Sequence, residues 1–261
     1  TGTVSTKLVP PPAGLFNANM PRAVSLPPSI GSRALVMAAE SGDAAASFEV
    51  AVLYSEGRGV SVNLEEAAAW FERAARAGLT PAIFRLGGLY EKGIGVRKDL
   101  KRAQALYTTA AERGSAKAMH NLAVLYAEGI EGKPDYPNAL GWFRKAADRG
   151  VADSQFNLGV LYARGIGMEA NIAESYRWFA LAAQSGDRDA GQKRDDVAKR
   201  LDPQTLKAVQ ANVQQWKPAP QPDDAVTVRG PVGGWDQAGP QTPAKAKTEA
   251  KPDAKPHARR G

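Results

Sequence analysis

Residues 82–114 read AIFRLGGLYEKGIGVRKDLKRAQALYTTAAERG, and residues 154–186 read SQFNLGVLYARGIGMEANIAESYRWFALAAQSG. The two stretches match Phe84 with Phe156, Leu86-Gly87 with Leu158-Gly159, Tyr90 with Tyr162, Gly93 and Gly95 with Gly165 and Gly167, and Ala110-Ala111 with Ala182-Ala183. Outward from them, Gly42, Gly78, Gly114, Gly150 and Gly186 recur every 36 residues, and Tyr54 and Tyr126 keep the phase of the other two tyrosines. A period between about 20 and 50 residues belongs to arrays whose units bury their apolar faces only against neighbouring units.

Each unit holds two helices. Val50, Leu53 and Tyr54, matched by Leu86, Leu89 and Tyr90, have the three- and four-residue spacing of a helix with one buried stripe, helix A. Ala67, Trp70, Phe71, Ala74 and Ala75, matched by Ala139, Trp142, Phe143, Ala146 and Ala147, form the stripe of helix B, with its tryptophans at buried phases. Small residues at Ala51, Gly87, Ala123 and Gly159 let the two helices approach closely enough for the large rings to interlock. Asn63, Asp99, Asp135 and Asn171 stand where a side chain caps helix B. The doublets Gly57/Gly59 and Gly93/Gly95 follow a helix and not a strand, so they lack the context of a phosphate loop and read as positive-φ turns. The third unit loses the second glycine of its doublet and gains Pro134 and Pro137 at unchanged length.

The expected architecture is all-α, a right-handed solenoid over 29–186. A cap helix over 29–42 precedes repeats 43–78, 79–114, 115–150 and 151–186. Capping helices over 187–216 follow, with a disordered proline-rich linker over 1–28 and a disordered Pro/Ala/Lys-rich tail over 217–261. Val226, Val228 and Trp235 are apolar points in that tail that either dock back onto the stack or bind elsewhere.

Composition removes several function classes. The net charge of +7 comes largely from residues 245–261, where six Lys/Arg face two acids, so the repeats carry no basic face for nucleic acid. Cysteine is absent, which removes disulfides and thiolate metal sites and is compatible with an oxidising compartment. Apolar runs reach about six residues, far short of the roughly 20 that cross a bilayer. A first residue of Thr1, with no charged-then-apolar leader after it, suggests a C-terminal piece of a longer protein, with any membrane anchor upstream. Two histidines, His120 and His257, leave no multi-histidine metal site and no triad, and neither a metal nor a cofactor is expected. The reading is of a chain that is not an enzyme.

The recurring alanine, Leu-Gly, Tyr, glycine-doublet and Ala-Ala pattern closely resembles the Sel1-like repeat, a relative of the tetratricopeptide repeat, over about residues 29–186. That resemblance implies adaptor and assembly roles. Sel1-repeat proteins described as β-lactamases or drug binders pair cysteines in each repeat, which this chain cannot do. A narrower set of segments, LPPSIG, KAMHNLAVLYAEG, KRDDVAKRLDPQTL, WKP and GGWD, resembles the C-terminal region of alphaproteobacterial polar localisation factors of the PodJ type. This second resemblance implies a periplasmic scaffold that positions cell-pole or cell-wall-associated machinery through protein partners. The alternatives are a periplasmic sensor-regulator or a peptidoglycan-binding module, and a cytoplasmic location.

By analogy with tetratricopeptide stacks, helices A line the inner face, where Phe48, Phe84, His120 and Phe156 form one row and Val52, Val124 and Val160 a second. These rows are either inter-repeat core or a groove for peptide or glycan. Asn121 and Asn157 either reach a bound backbone with donor and acceptor or bond between adjacent helices. The tryptophans of helix B fall outside that face, which favours protein over glycan.

Overall fold

The computed structural model describes residues 11–16, 26–130 and 132–235. Among them every regular element is a helix. After short 3-10 turns at Ala13–Leu15 and Pro28–Ile30 come α1 (Arg33–Ser41), α2 (Ala44–Glu56), α3 (Leu64–Arg76), α4 (Thr80–Lys92), α5 (Leu100–Glu112) and α6 (Ala116–Glu128). They are followed by α7 (Tyr136–Ala147), α8 (Ala152–Arg164), α9 (Ile172–Gln184), α10 (Arg188–Ala198), α11 (Pro203–Gln215) and α12 (Asp223–Val226). Each helix from α1 to α9 packs on the next, and α11 packs back on α9, giving a solenoid of A–B hairpins with α1 at one end and α10 and α11 at the other.

The repeat pattern becomes repeated bonding. In all four hairpins the tyrosine carbonyl of helix A accepts the backbone N–H of the residue that caps helix B: Asn63 to Tyr54, Asp99 to Tyr90, Asp135 to Tyr126 and Asn171 to Tyr162, at 2.8–3.0 Å. The caps then accept with their side chains, Asp99 from Arg102 N–H at 2.9 Å and Asn171 from Glu174 N–H at 2.9 Å. Helix B ends on the alanine pair. Gly114 N–H donates to Ala111 and Ser115 N–H to Ala110, and the same two bonds recur at Gly78 and Gly150.

Trp70 and Trp178 are fully buried, each contributing roughly 3 kcal/mol through apolar area removed from water. Trp142 keeps their phase but not their burial: it is half-buried, with Lys145 Nζ 3.9 Å above its ring. The small positions of helix A act as expected. A methyl group on Gly87 would meet Tyr107, and one on Gly159 would meet Phe179, at under 3 Å.

The second glycine of the doublet has a role that its φ alone does not reveal. A side chain on Gly95 would collide with the Leu64 carbonyl, one on Gly59 with the Ser29 carbonyl, and one on Gly167 with Tyr136. Each loop thus rests against the start of the preceding helix B or its equivalent in the cap. The third repeat departs from this: its Gly132 takes φ +75°, but a side chain there would meet nothing within 4 Å, so that glycine serves the turn alone.

The tails depart from the sequence reading. Residues 1–10, 17–25 and 236–261 of the expected linker and tail lie outside the described residues. Phe16 is buried with the central core, with Arg76 stacked on its ring 4.8 Å from the centroid. Residues 217–235 are a correction to the expected loose tail: they turn back from α11 and run along the solenoid to its other end, held by backbone bonds and proline contacts that a composition argument does not register.

Candidate functional site

The candidate site is a groove of about 870 Å³ along the face made by α2, α4, α6 and the start of α8. Phe48, Phe84 and His120 line it together, as successive repeats bring the same phase of helix A to one surface. Asn121 lines it too and also reaches a second hollow of about 370 Å³ beside Val52, Phe84 and Tyr107. Val124, Phe156 and Val160 pack against the C-terminal core, and Asn157 is half-buried in the same helix as the last two. All nine residues picked from the sequence are half-buried.

That intermediate burial has a simple cause. Each ring of helix A stacks on the ring of helix B in its own repeat: Phe48 on Phe71 at 5.2 Å, Phe84 on Tyr107 at 5.8 Å, His120 on Phe143 at 5.8 Å and Phe156 on Phe179 at 5.5 Å. One edge of each ring is therefore core while the rest faces outward. These rings are thus partly core, and Phe48, Phe84 and His120 also line the groove.

His120 shares a hydrogen bond with Ser154 Oγ at 2.8 Å, and Asp153 stands beside it. Burial holds the imidazole below its ordinary pKa, against the opposing pull of Asp153 and Glu91. Ser154 is wholly buried, so its hydroxyl meets no substrate. The pair ties the third repeat to the fourth. Asn121 donates to the Tyr107 hydroxyl at 3.0 Å, and that hydroxyl donates to Glu91 at 2.5 Å, which is the inter-helix alternative for this asparagine. Burial, with Glu91 next, pushes the Tyr107 phenol well above its usual range.

The groove wall carries Arg85, Lys117 and Arg149 against the single acid Asp153, a charge pattern the sequence reading missed because the three cations sit at unrelated positions of two different repeats. The groove is also partly filled by the chain itself. Ala219 N–H donates to the Asp148 carbonyl at 2.7 Å, and Gln221 Oε1 accepts from Ala116 N–H at 3.0 Å, supplying the open first turn of α6 with an acceptor. Ala225 is buried, Val228 packs on the central core, and Trp235 packs on the first core with its carbonyl accepting from Ser32 Oγ. Of the two fates open to these apolar points, docking is the one adopted. Val226 remains half exposed at the groove rim.

Among the described residues no group of three or more histidines, aspartates or glutamates converges as a metal site, and no helix is long and apolar enough to cross a membrane.

Comparison with known proteins places this geometry. No curated protein matches the chain. A protective antigen present in uropathogenic Escherichia coli strains, displaying an SLR fold, is 28% identical with a TM-score of 0.61. The match covers 69% of this chain and 38% of that one, so this chain spans well under half of that protein's length. A Sel1 repeat protein from Oxalobacter formigenes is 27% identical with a TM-score of 0.56, covering 67% of this chain and 74% of its own. The Sel1 repeat model matches four times, over 44–79, 80–115, 116–151 and 152–187. With four consecutive matches across more than half of its length, the chain belongs to the Sel1 repeat family.

Proposed function

We propose that this chain is a non-catalytic scaffold of the bacterial periplasm that holds proteins of the cell-pole or cell-wall-associated machinery on its helix-A face. Sel1 repeats generally mediate protein–protein interaction. The observation that carries the reading is the groove spanning four repeats, lined by Phe48, Phe84, His120 and Asn121, in which an extended stretch of polypeptide already sits. A face that holds one extended chain through backbone bonds is built to hold others. The polar and periplasmic parts of the proposal rest on the resemblance of LPPSIG, KRDDVAKRLDPQTL and GGWD to polar localisation factors, and the lack of cysteine is compatible with them.

A wall-glycan role has less support, because no tryptophan lines the groove and sugar rings are held best by exposed aromatic faces. The test is cross-linking in cells with the full chain, comparing the native protein with Phe84→Glu and Asn121→Lys, alongside sedimentation with isolated peptidoglycan. Envelope or polar proteins captured by the native chain and lost from both variants support the proposal. Partners unaffected by either substitution, or co-sedimentation with peptidoglycan alone, would overturn it.

A further inference from the structure

Residues 217–235 do more than cover the groove, for they show how it reads a chain. Pro222 sits on Gly114, where an added methyl group would meet its ring at 2.5 Å, and Pro218 sits on Gly150, where the distance would be 3.4 Å. Those glycines close consecutive repeats, 36 residues apart, and the prolines that cover them are four residues apart. Four residues of extended chain span about 12 Å in a polyproline II geometry, and Pro222 (φ −58°, ψ 139°) and Trp216 (φ −66°, ψ 139°) both have such angles. The glycines must take positive φ to end helix B, so the array presents bare backbone at a fixed step. Flat proline rings lie against both glycines.

Charge adds direction. Asp224, two residues beyond the second proline, acts on Arg113, while Arg85, Lys117 and Arg149 line the same groove. The partner Asp223 is held within the strap by Arg229 and Thr227. Beyond Pro222 the strap coils into α12 and leaves the glycine step, packing on α4 through Ala225.

We infer that the helix-A groove recognises extended peptides with prolines four residues apart and an acidic residue two positions after the second, and that residues 217–229 are a resident copy which an incoming peptide displaces. This deepens the scaffold reading and rests on it for the existence of an outside partner. The resident copy lowers the affinity for any outside peptide by the free energy of its own docking, and so selects for ligands that match the step better than it does.

The test uses a fluorescent synthetic peptide of residues 217–230, titrated by anisotropy against the full chain and against full-length Ala225→Arg, whose new side chain cannot fit the buried site. Hydrogen exchange at Ala219 reports release of the strap. The released variant is expected to bind the peptide at least tenfold tighter than the native chain, and full-length Gln221→Ala about threefold tighter. Peptides carrying P218S with P222S, or D224N, are expected to bind at least tenfold more weakly than the parent peptide.

Equal binding by native chain and both variants, indifference to the peptide substitutions, or unprotected Ala219 in the native chain would overturn the inference. So would a concentration-dependent dimer that the peptide cannot block, since the groove would then belong to a second copy of this chain. If cross-linked partners map to helices B while the peptide stays unbound, the scaffold reading survives and this one does not. Tight peptide binding with no partner captured in cells has the opposite meaning.

Discussion

Ser32 Oγ donates to the Trp235 carbonyl at 2.9 Å, joining residues 203 positions apart at the first turn of α1. The same oxygen accepts from Leu35 N–H at 3.2 Å, so one hydroxyl both caps the first helix and fastens the last described residue of the strap. Ser32→Ala removes both bonds. The expected cost is about 1 kcal/mol, typical of a lost N-cap, read by chemical denaturation, together with faster hydrogen exchange over residues 232–235. A variant with native stability and native exchange would show the bond to be idle.

Gly114 and Gly186 both close a helix B with left-handed backbones, φ +96° and +91°, but only Gly114 has a proline on it. Gly186→Ala is expected to cost about 1 kcal/mol from the backbone alone. Gly114→Ala is expected to cost more and to raise hydrogen exchange along 218–228. Equal losses in the two variants would mean that the strap contributes nothing at Gly114.

Trp70 is fully buried between repeats, and Trp142 only half. Trp70→Ala is expected to destabilise by about 3–5 kcal/mol, and Trp142→Ala by less than half as much. Comparable losses in thermal or urea unfolding would contradict the difference in their burial.

The depressed pKa of His120 makes stability depend on pH with a definite sign. The unfolded chain takes up its proton near pH 6.5, whereas the folded chain resists until lower pH, so the unfolded state binds more protons in between. Stability that is full above about pH 7 is therefore expected to fall as the pH drops through 6.5 toward the folded value, and to level off below it. His120→Phe, which restores the residue of the other repeats, should flatten that stretch of the profile. An unchanged slope in the variant would assign the dependence to another group.

Much of the fold was legible because a 36-residue period constrains every unit at once. Tyr90, Asp99 and the pair Ala110-Ala111 are assigned to turn, cap and helix end by the sequence alone, since four aligned copies average away local exceptions. What escaped depends on contacts outside a repeat's own pattern. Gly95 looked like a turn glycine, and its nearness to the Leu64 carbonyl follows only once the repeats are stacked. The row Phe48, Phe84 and His120 was legible as a surface, yet its half-core character needed the rings of Phe71, Tyr107 and Phe143 in place. The strap was least legible, because Pro218, Gln221 and Pro222 are held through backbone and ring edges. A segment bound in that way has the composition of one that is free.

A ribbon anchored at Asp148, Ala116, Gly114 and Ser32 acts like the string of a bow whose limbs are the stacked hairpins. The curvature of a stacked array follows from a small rotation at each joint, and a cord fastened to successive units is expected to limit how far the arc can straighten. Cutting or unseating the cord should let the bow relax, so that the curvature of the whole molecule, and with it the spacing of everything it carries, becomes adjustable from one short stretch near Pro222.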